Sequence, residues 1–106
     1  MKTTLLFALL LTLALAFSSA AQQSGYAALS GAVVDRQGHP APGLSVSLLG
    51  RKGETNSVTT DKSGRFVFAN VKLGSVYYVE VYWGRDLMYR QPVTLTRALN
   101  LGIIRL

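Results

Sequence analysis

The residues that could do chemistry are few, and their spacing points to turns. The one histidine, His39, stands in "DRQGHPAPG" between Gly38 and Pro40. Nucleophilic catalysis would need a serine or cysteine beside it and an orienting carboxylate. Zinc would need further histidines, cysteines or carboxylates at ligand spacing. The chain has no second histidine and no cysteine. Asp35 is near, but at the distance at which an aspartate opens a turn. Gly38 can take positive φ, and Pro40 forces the preceding His39 into an extended conformation. His39 is therefore expected to be a solvated turn residue. A calcium site in Asp61-Lys62-Ser63-Gly64 would need six to eight oxygens. Asp61 and Ser63 supply too few, and Lys62 brings a repelling charge, so this stretch too reads as a turn. Neither constellation implies a metal or a cofactor, and no catalytic residue can be nominated.

The elements that must position these loops are short and apolar, with glycine, proline and polar residues between them. Leu44, Val46 and Leu48 alternate with Ser45 and Ser47, the period of a half-buried strand. "SVTTDKSGRFVFANV" reads as two strands about the Asp61 turn, with Phe66 and Phe68 on one face and Val67 and Ala69 on the other. In "VYYVEVYW", Tyr77, Val79, Val81 and Trp83 share a face that should be the core. Tyr78, Glu80 and Tyr82 share the opposite face, taken as the solvent side because Glu80 sits badly in a core. Gly84-Arg85-Asp86 is a hairpin loop, and Pro92 marks an edge strand or bulge. No segment sustains a helical period. Turn signals about every 8–12 residues predict an all-β sandwich of about seven strands, Ig-like in class.

Ahead of these strands lies a different kind of sequence. Met1-Lys2-Thr3-Thr4 is followed by the apolar run Leu5 to Phe17 and then by Ser18-Ser19-Ala20-Ala21. That order is the layout of a secretory signal peptide, and the run is shorter than the roughly 18–20 residues a membrane span requires. Residues 1–21 are read as the signal, with cleavage after Ala21 as first choice and after Ala20 as second. Residues 22–28 are read as a flexible leader and 29–106 as one domain. The expected location is periplasmic or extracellular, with membrane contact only through an uncleaved signal. A domain of this size without disulfides must rely on packing and backbone hydrogen bonding, for a stability on the order of 5 kcal/mol. The formal net charge is +6, spread along the chain with no block of like charges. It reads as an aid to solubility, and nothing matches a nucleic-acid module.

The punctuation residues form a longer pattern. Gly31-x-Val33-x-Asp35-x-x-Gly38-x-Pro40-x-x-Gly43-x-x-Val46-x-Leu48 resembles the opening of carboxypeptidase regulatory-like domains. The likeness continues through Thr60-Asp61-x-x-Gly64-x-Phe66-x-Phe68-x-x-Val71, then Gly74 and Tyr77-x-Val79-x-Val81, and ends in Leu101-Gly102-x-Ile104-x-Leu106. It implies a transthyretin-like Greek-key sandwich, here as a stand-alone exported protein of bacterial type. One residue more than usual separates Gly74 from Tyr77. Similar sandwiches include hydroxyisourate hydrolases, whose site of histidines and arginine comes with a C-terminal Tyr-Arg-Gly-Ser. This chain has one histidine and ends Ile103-Ile104-Arg105-Leu106, so that activity is not expected. Collagen-adhesin domains of related type carry a Lys–Asn crosslink helped by an acid. Asn100 and Glu80 fit two of those roles, but the first strand "LSGAVVD" lacks the lysine.

What remains are surfaces. If Trp83 stands opposite Leu87, then Tyr82 faces Met88 and Glu80 faces Arg90 across the hairpin. Tyr78, Tyr82, Met88 and Arg90 then form an exposed stripe suited to protein or sugar contacts. If turns alternate between the two ends, Arg51, Lys52, Lys72 and Arg97 gather at one end as an anion-binding patch, opposed only by Glu54. The expected function is non-enzymatic: an exported, monomeric module that binds or structurally supports a protein or glycan. The alternative is a transthyretin-like carrier of a small ligand, dimerising through edge strands.

Overall fold

The structure, a computed structural model, describes residues 25–106. The signal peptide, its cleavage after Ala21 or Ala20 and residues 22–24 of the leader lie outside the described residues. Seven strands run in chain order: β1 (Tyr26–Val34), β2 (Ser45–Gly50), β3 (Thr55–Thr59), β4 (Arg65–Lys72), β5 (Ser75–Trp83), β6 (Asp86–Leu95) and β7 (Leu99–Arg105). They form a three-stranded sheet, β4-β1-β7, and a four-stranded sheet, β3-β2-β5-β6. All pairings are antiparallel except β1 with β7. β1 begins ahead of the expected domain start at Leu29, because Tyr26 pairs with Lys72 and Ala27 with Val71. Residues 26–28 thus belong to the sheet rather than to a leader.

Period-two alternation builds the core. Leu29 and Val33 of β1, Val46 and Leu48 of β2, and Val79 and Val81 of β5 are buried between the sheets. Phe66 and Phe68 of β4 join them edge to face, their ring centroids 6.1 Å apart. Gly31 lies between Leu29 and Val33 because Phe66 occupies the space: a Cβ there would stand 2.7 Å from Phe66 Cζ.

Three bulges break the alternation, and each re-aims the side chains beyond it. In β4, Ala69 and Asn70 oppose Ala28 alone, so the inward phase passes from Phe68 to Val71. In β7, Leu101 and Gly102 oppose Gly31, and the phase passes to Ile104. Gly102 takes φ 73°, and its N–H donates to Asn100 Oδ1 at 2.9 Å. In β6, Met88 is the extra residue between the pairs Val81–Tyr89 and Tyr82–Leu87.

The third bulge corrects the expected hairpin register. Glu80 does face Arg90, but Tyr82 faces Leu87 and Trp83 faces Asp86. The loop is Gly84-Arg85 alone. Gly84 has φ 59° while Arg85 does not take positive φ, the signature of a type II′ turn. Such a turn matches strand twist with two residues, and Met88 absorbs the one left over.

Candidate functional site

Two turns of like sequence hold the loop end of the sandwich. In the first, Asp35 Oδ1 accepts from the N–H groups of Gln37 and His39, both at 2.9 Å. The Asp35 N–H donates to the His39 carbonyl at 2.8 Å, and Gly38 N–H to the Asp35 carbonyl at 3.0 Å. The His39 side chain stays 77% exposed, its Nδ1 3.8 Å from Asp35 Oδ2. Asp61 repeats the arrangement, its Oδ1 accepting from Ser63 and Arg65 N–H at 2.9 Å. One carboxylate oxygen of each aspartate is thus engaged with backbone donors. Among the described residues, no group of three or more His, Asp or Glu side chains could hold a metal.

Thr60 ties the two loops together. Its buried hydroxyl donates to the Ala41 carbonyl at 2.7 Å and accepts from Leu44 N–H at 2.9 Å. Its own N–H donates to the Leu44 carbonyl at 2.9 Å, and its carbonyl accepts from Gly43 N–H at 3.0 Å. The segment Ala41-Pro42-Gly43-Leu44 is therefore clamped along its length.

On the outer face of the four-stranded sheet, Tyr78, Tyr82 and Arg90 are brought together as expected, with two corrections, at Glu80 and Met88. Glu80 points outward with Tyr78 and Tyr82 but is only 8% exposed. Its neighbours cover it. Tyr82 donates its hydroxyl to Glu80 Oε1 at 3.1 Å, and Arg90 Nε lies 3.5 Å from Glu80 Oε2. The Arg90 guanidinium in turn sits over the Tyr78 ring, 4.1 Å from its centroid, a cation–π contact. The hydrogen bond to Glu80, joined by desolvation and by the carboxylate's charge, raises the Tyr82 phenol above its ordinary pKa of 10.0, while Arg90 pulls it down. Met88 is exposed on the same hairpin as the bulge residue, not as the partner of Tyr82. Across β2 and β3 the row continues with Ser47 and Ser57, whose hydroxyls are 2.9 Å apart.

The expected basic end divides. Lys52 and Lys72 line one cleft of about 380 Å³ between the edges of β3 and β4, together with Glu54, Asn56, Asn70 and Tyr77. Tyr77 holds the end of β4 by donating its hydroxyl to the Lys72 carbonyl at 2.7 Å. Arg51 and Arg97 do not line this cleft. Asn100 and Glu80 lie on strands of different sheets and do not meet.

Sequence reasoning missed Trp83. Its inward phase along β5 placed it in the core, yet it is 60% exposed. The chain reverses at Gly84 directly after it, so the indole sits at the hairpin tip, beside the β1–β2 loop rather than between the sheets. The immediate Gly-Arg turn was the available signal, since a strand's last residue often overhangs the opposing layer.

The sequence and the fold both have counterparts in known proteins. Residues 28–101 match the model of the carboxypeptidase regulatory-like domain, and the chain belongs to that family. Among solved structures, 5-hydroxyisourate hydrolase from Klebsiella pneumoniae is similar, with a TM-score of 0.57 and 23% identity over 74% of this chain and 84% of that one. A C-terminal fragment of the pilus adhesin SpaC from Lactobacillus rhamnosus GG is similar over 67% of this chain and 29% of that one, with a TM-score of 0.52 and 16% identity. At those identities the likeness establishes the fold alone, a transthyretin-like β-sandwich. No curated protein matches the sequence significantly.

Proposed function

We propose that this domain is a non-enzymatic, exported module that holds a protein or glycan partner on the outer face of its four-stranded sheet. The observation that carries the reading is the Tyr78–Arg90–Glu80–Tyr82 cluster. An arginine stacked at 4.1 Å on a tyrosine and paired at 3.5 Å with a nearly buried carboxylate is held in one orientation before any partner arrives. Aromatic and arginine side chains dominate binding hot spots, and pre-ordering them lowers the entropy lost on association. The same pairs also stabilise the sheet, by roughly 0.2–1 kcal/mol each. The test must therefore separate binding from folding. The non-enzymatic part is supported by His39, whose backbone closes a turn while its ring faces solvent. Export is supported by the signal-like layout of residues 1–21.

The experiment is cross-linking capture from the exported fraction, comparing the native chain with Arg90→Ala and with Tyr78→Ala/Arg90→Ala, each checked for an unchanged thermal midpoint. Capture of a defined partner that falls about tenfold or more in the double variant supports the proposal. Equal capture by folded variants sinks it.

A further inference from the structure

We propose that the cleft beside the β5–β6 hairpin tip is a saccharide subsite, in which Trp83 stacks on the apolar face of a neutral sugar ring and Asp35 accepts from its hydroxyls. The proposal rests on reading the domain as a binding module, and it gives that module a second place and a ligand class. The cleft is about 380 Å³, within the range of small-ligand sites, and its lining includes Asp35, Pro40, Pro42, Leu44, Trp83 and Gly84.

Three observations converge on it. The first is Trp83, with 60% of its surface in water although its strand phase points inward. An indole exposes a large apolar face of negative potential, to which the slightly positive C–H groups of a sugar ring are complementary. The second is Asp35. Its Oδ1 is spent on the N–H groups of Gln37 and His39, while Oδ2 lies 3.8 Å from His39 Nδ1, beyond hydrogen-bond length. That oxygen retains its capacity to accept from hydroxyl groups. The third is rigidity. Pro40 and Pro42 fix their own φ, Ala41 N–H donates to the Val33 carbonyl at 3.0 Å, and Thr60 holds Ala41, Gly43 and Leu44 by its hydroxyl and backbone hydrogen bonds. The wall is formed before a ligand arrives, so little ordering opposes binding.

Charge selects the ligand class. Asp35 repels an anion. Arg36 and Arg85 adjoin the lining residues Asp35 and Gly84 in sequence, and Arg105 is tied to the Arg36 carbonyl at 3.2 Å. With Asp35 in the lining and arginines adjoining it in the chain, neither a cation nor an anion meets charge of one sign. A neutral, polyhydroxylated ring satisfies both signs.

Trp83 is the one tryptophan of the chain, so fluorescence excited at the red edge, where tyrosine does not absorb, reports on this cleft alone. Titration with cellotetraose, chitotetraose and maltotetraose should give, for at least one, a saturable change in emission that persists at high salt. Asp35→Asn keeps an Oδ1 acceptor for the turn and replaces Oδ2 with a donor. It should weaken binding roughly tenfold, the effect of losing a hydrogen bond to a charged group. Trp83→Ala, verified as folded by its thermal midpoint, should abolish binding measured by calorimetry. Unchanged emission with all three sugars overturns the proposal. So does undiminished sugar affinity in Trp83→Ala, or a response to a polyproline peptide but to no sugar. None of these failures bears on partner capture by the Tyr78–Arg90 face, and loss of that capture leaves the Trp83 response intact.

Discussion

Asp35-Arg36-Gln37-Gly38 and Asp61-Lys62-Ser63-Gly64 begin loops at the same end of the sandwich and close with the same hydrogen bonds. Gly38 and Gly64 both take positive φ, 86° and 76°. Their surroundings differ. A Cβ on Gly38 would come no nearer than 3.6 Å, to the Arg105 guanidinium. A Cβ on Gly64 would stand 2.4 Å from the Val33 carbonyl oxygen and 3.1 Å from Ala41 N, and the Gly64 carbonyl accepts from Val33 N–H at 2.8 Å. The same local grammar thus makes a free corner in one place and a keystone in the other. At Gly64 the β3–β4 loop is sewn to β1 and to the segment that Thr60 clamps.

The sharpest way to break this comparison is to give both glycines a side chain. Gly64→Ala should lose roughly 3 kcal/mol or more, since left-handed strain adds to a backbone collision that cannot relax by a rotamer change. That is most of the stability expected of so small a domain, and thermal or urea melts would show it as a partly unfolded protein. Thr60→Val comes next. It keeps the shape but leaves Leu44 N–H and the Ala41 carbonyl without their buried partner, for about 2–3 kcal/mol by denaturant midpoint. Gly38→Ala should cost only about 1–2 kcal/mol, the strain of the left-handed region alone. Equal midpoints for the Gly64 and Gly38 variants would show that the two loops are equivalent after all.

The smallest effect lies on the outer face of the four-stranded sheet and serves as a control. The Tyr82 phenol is raised above 10.0, chiefly by its hydrogen bond to Glu80. A raised folded pKa contributes stability that is complete below the ordinary value and is lost as pH rises through the folded one. Phenolate absorbance, taken as the difference between the native chain and Tyr82→Phe, should place the Tyr82 midpoint above 10.0, and Glu80→Ala should bring it down. The response of the loop variants should be unaltered over that change.

Much of the fold was legible because strand periodicity is a local property. Val46 and Leu48, Phe66 and Phe68, and Val79 and Val81 lie inward as their alternation predicts. The Asp-x-x-Gly corners formed as read, since aspartate and glycine carry their turn chemistry wherever they stand. The candidate surfaces were less legible. Tyr78 and Arg90 do meet, because Glu80 and Arg90 pair across the hairpin, but Met88 was misplaced by a bulge that leaves no composition signal of its own. The charge of Glu80 reads as solvated, whereas the Tyr82 and Arg90 side chains lie against its carboxylate and it is nearly buried.

The amino-acid order alone determined which segments are strands, which way most of them face and where the backbone turns, because those depend on each residue and its near neighbours. Only the tertiary structure decided that Gly64 is a keystone and Gly38 a free corner, and that Glu80 is covered. Those outcomes depend on which distant backbone or side chain fills the adjacent space, and sequence separation says nothing of that distance.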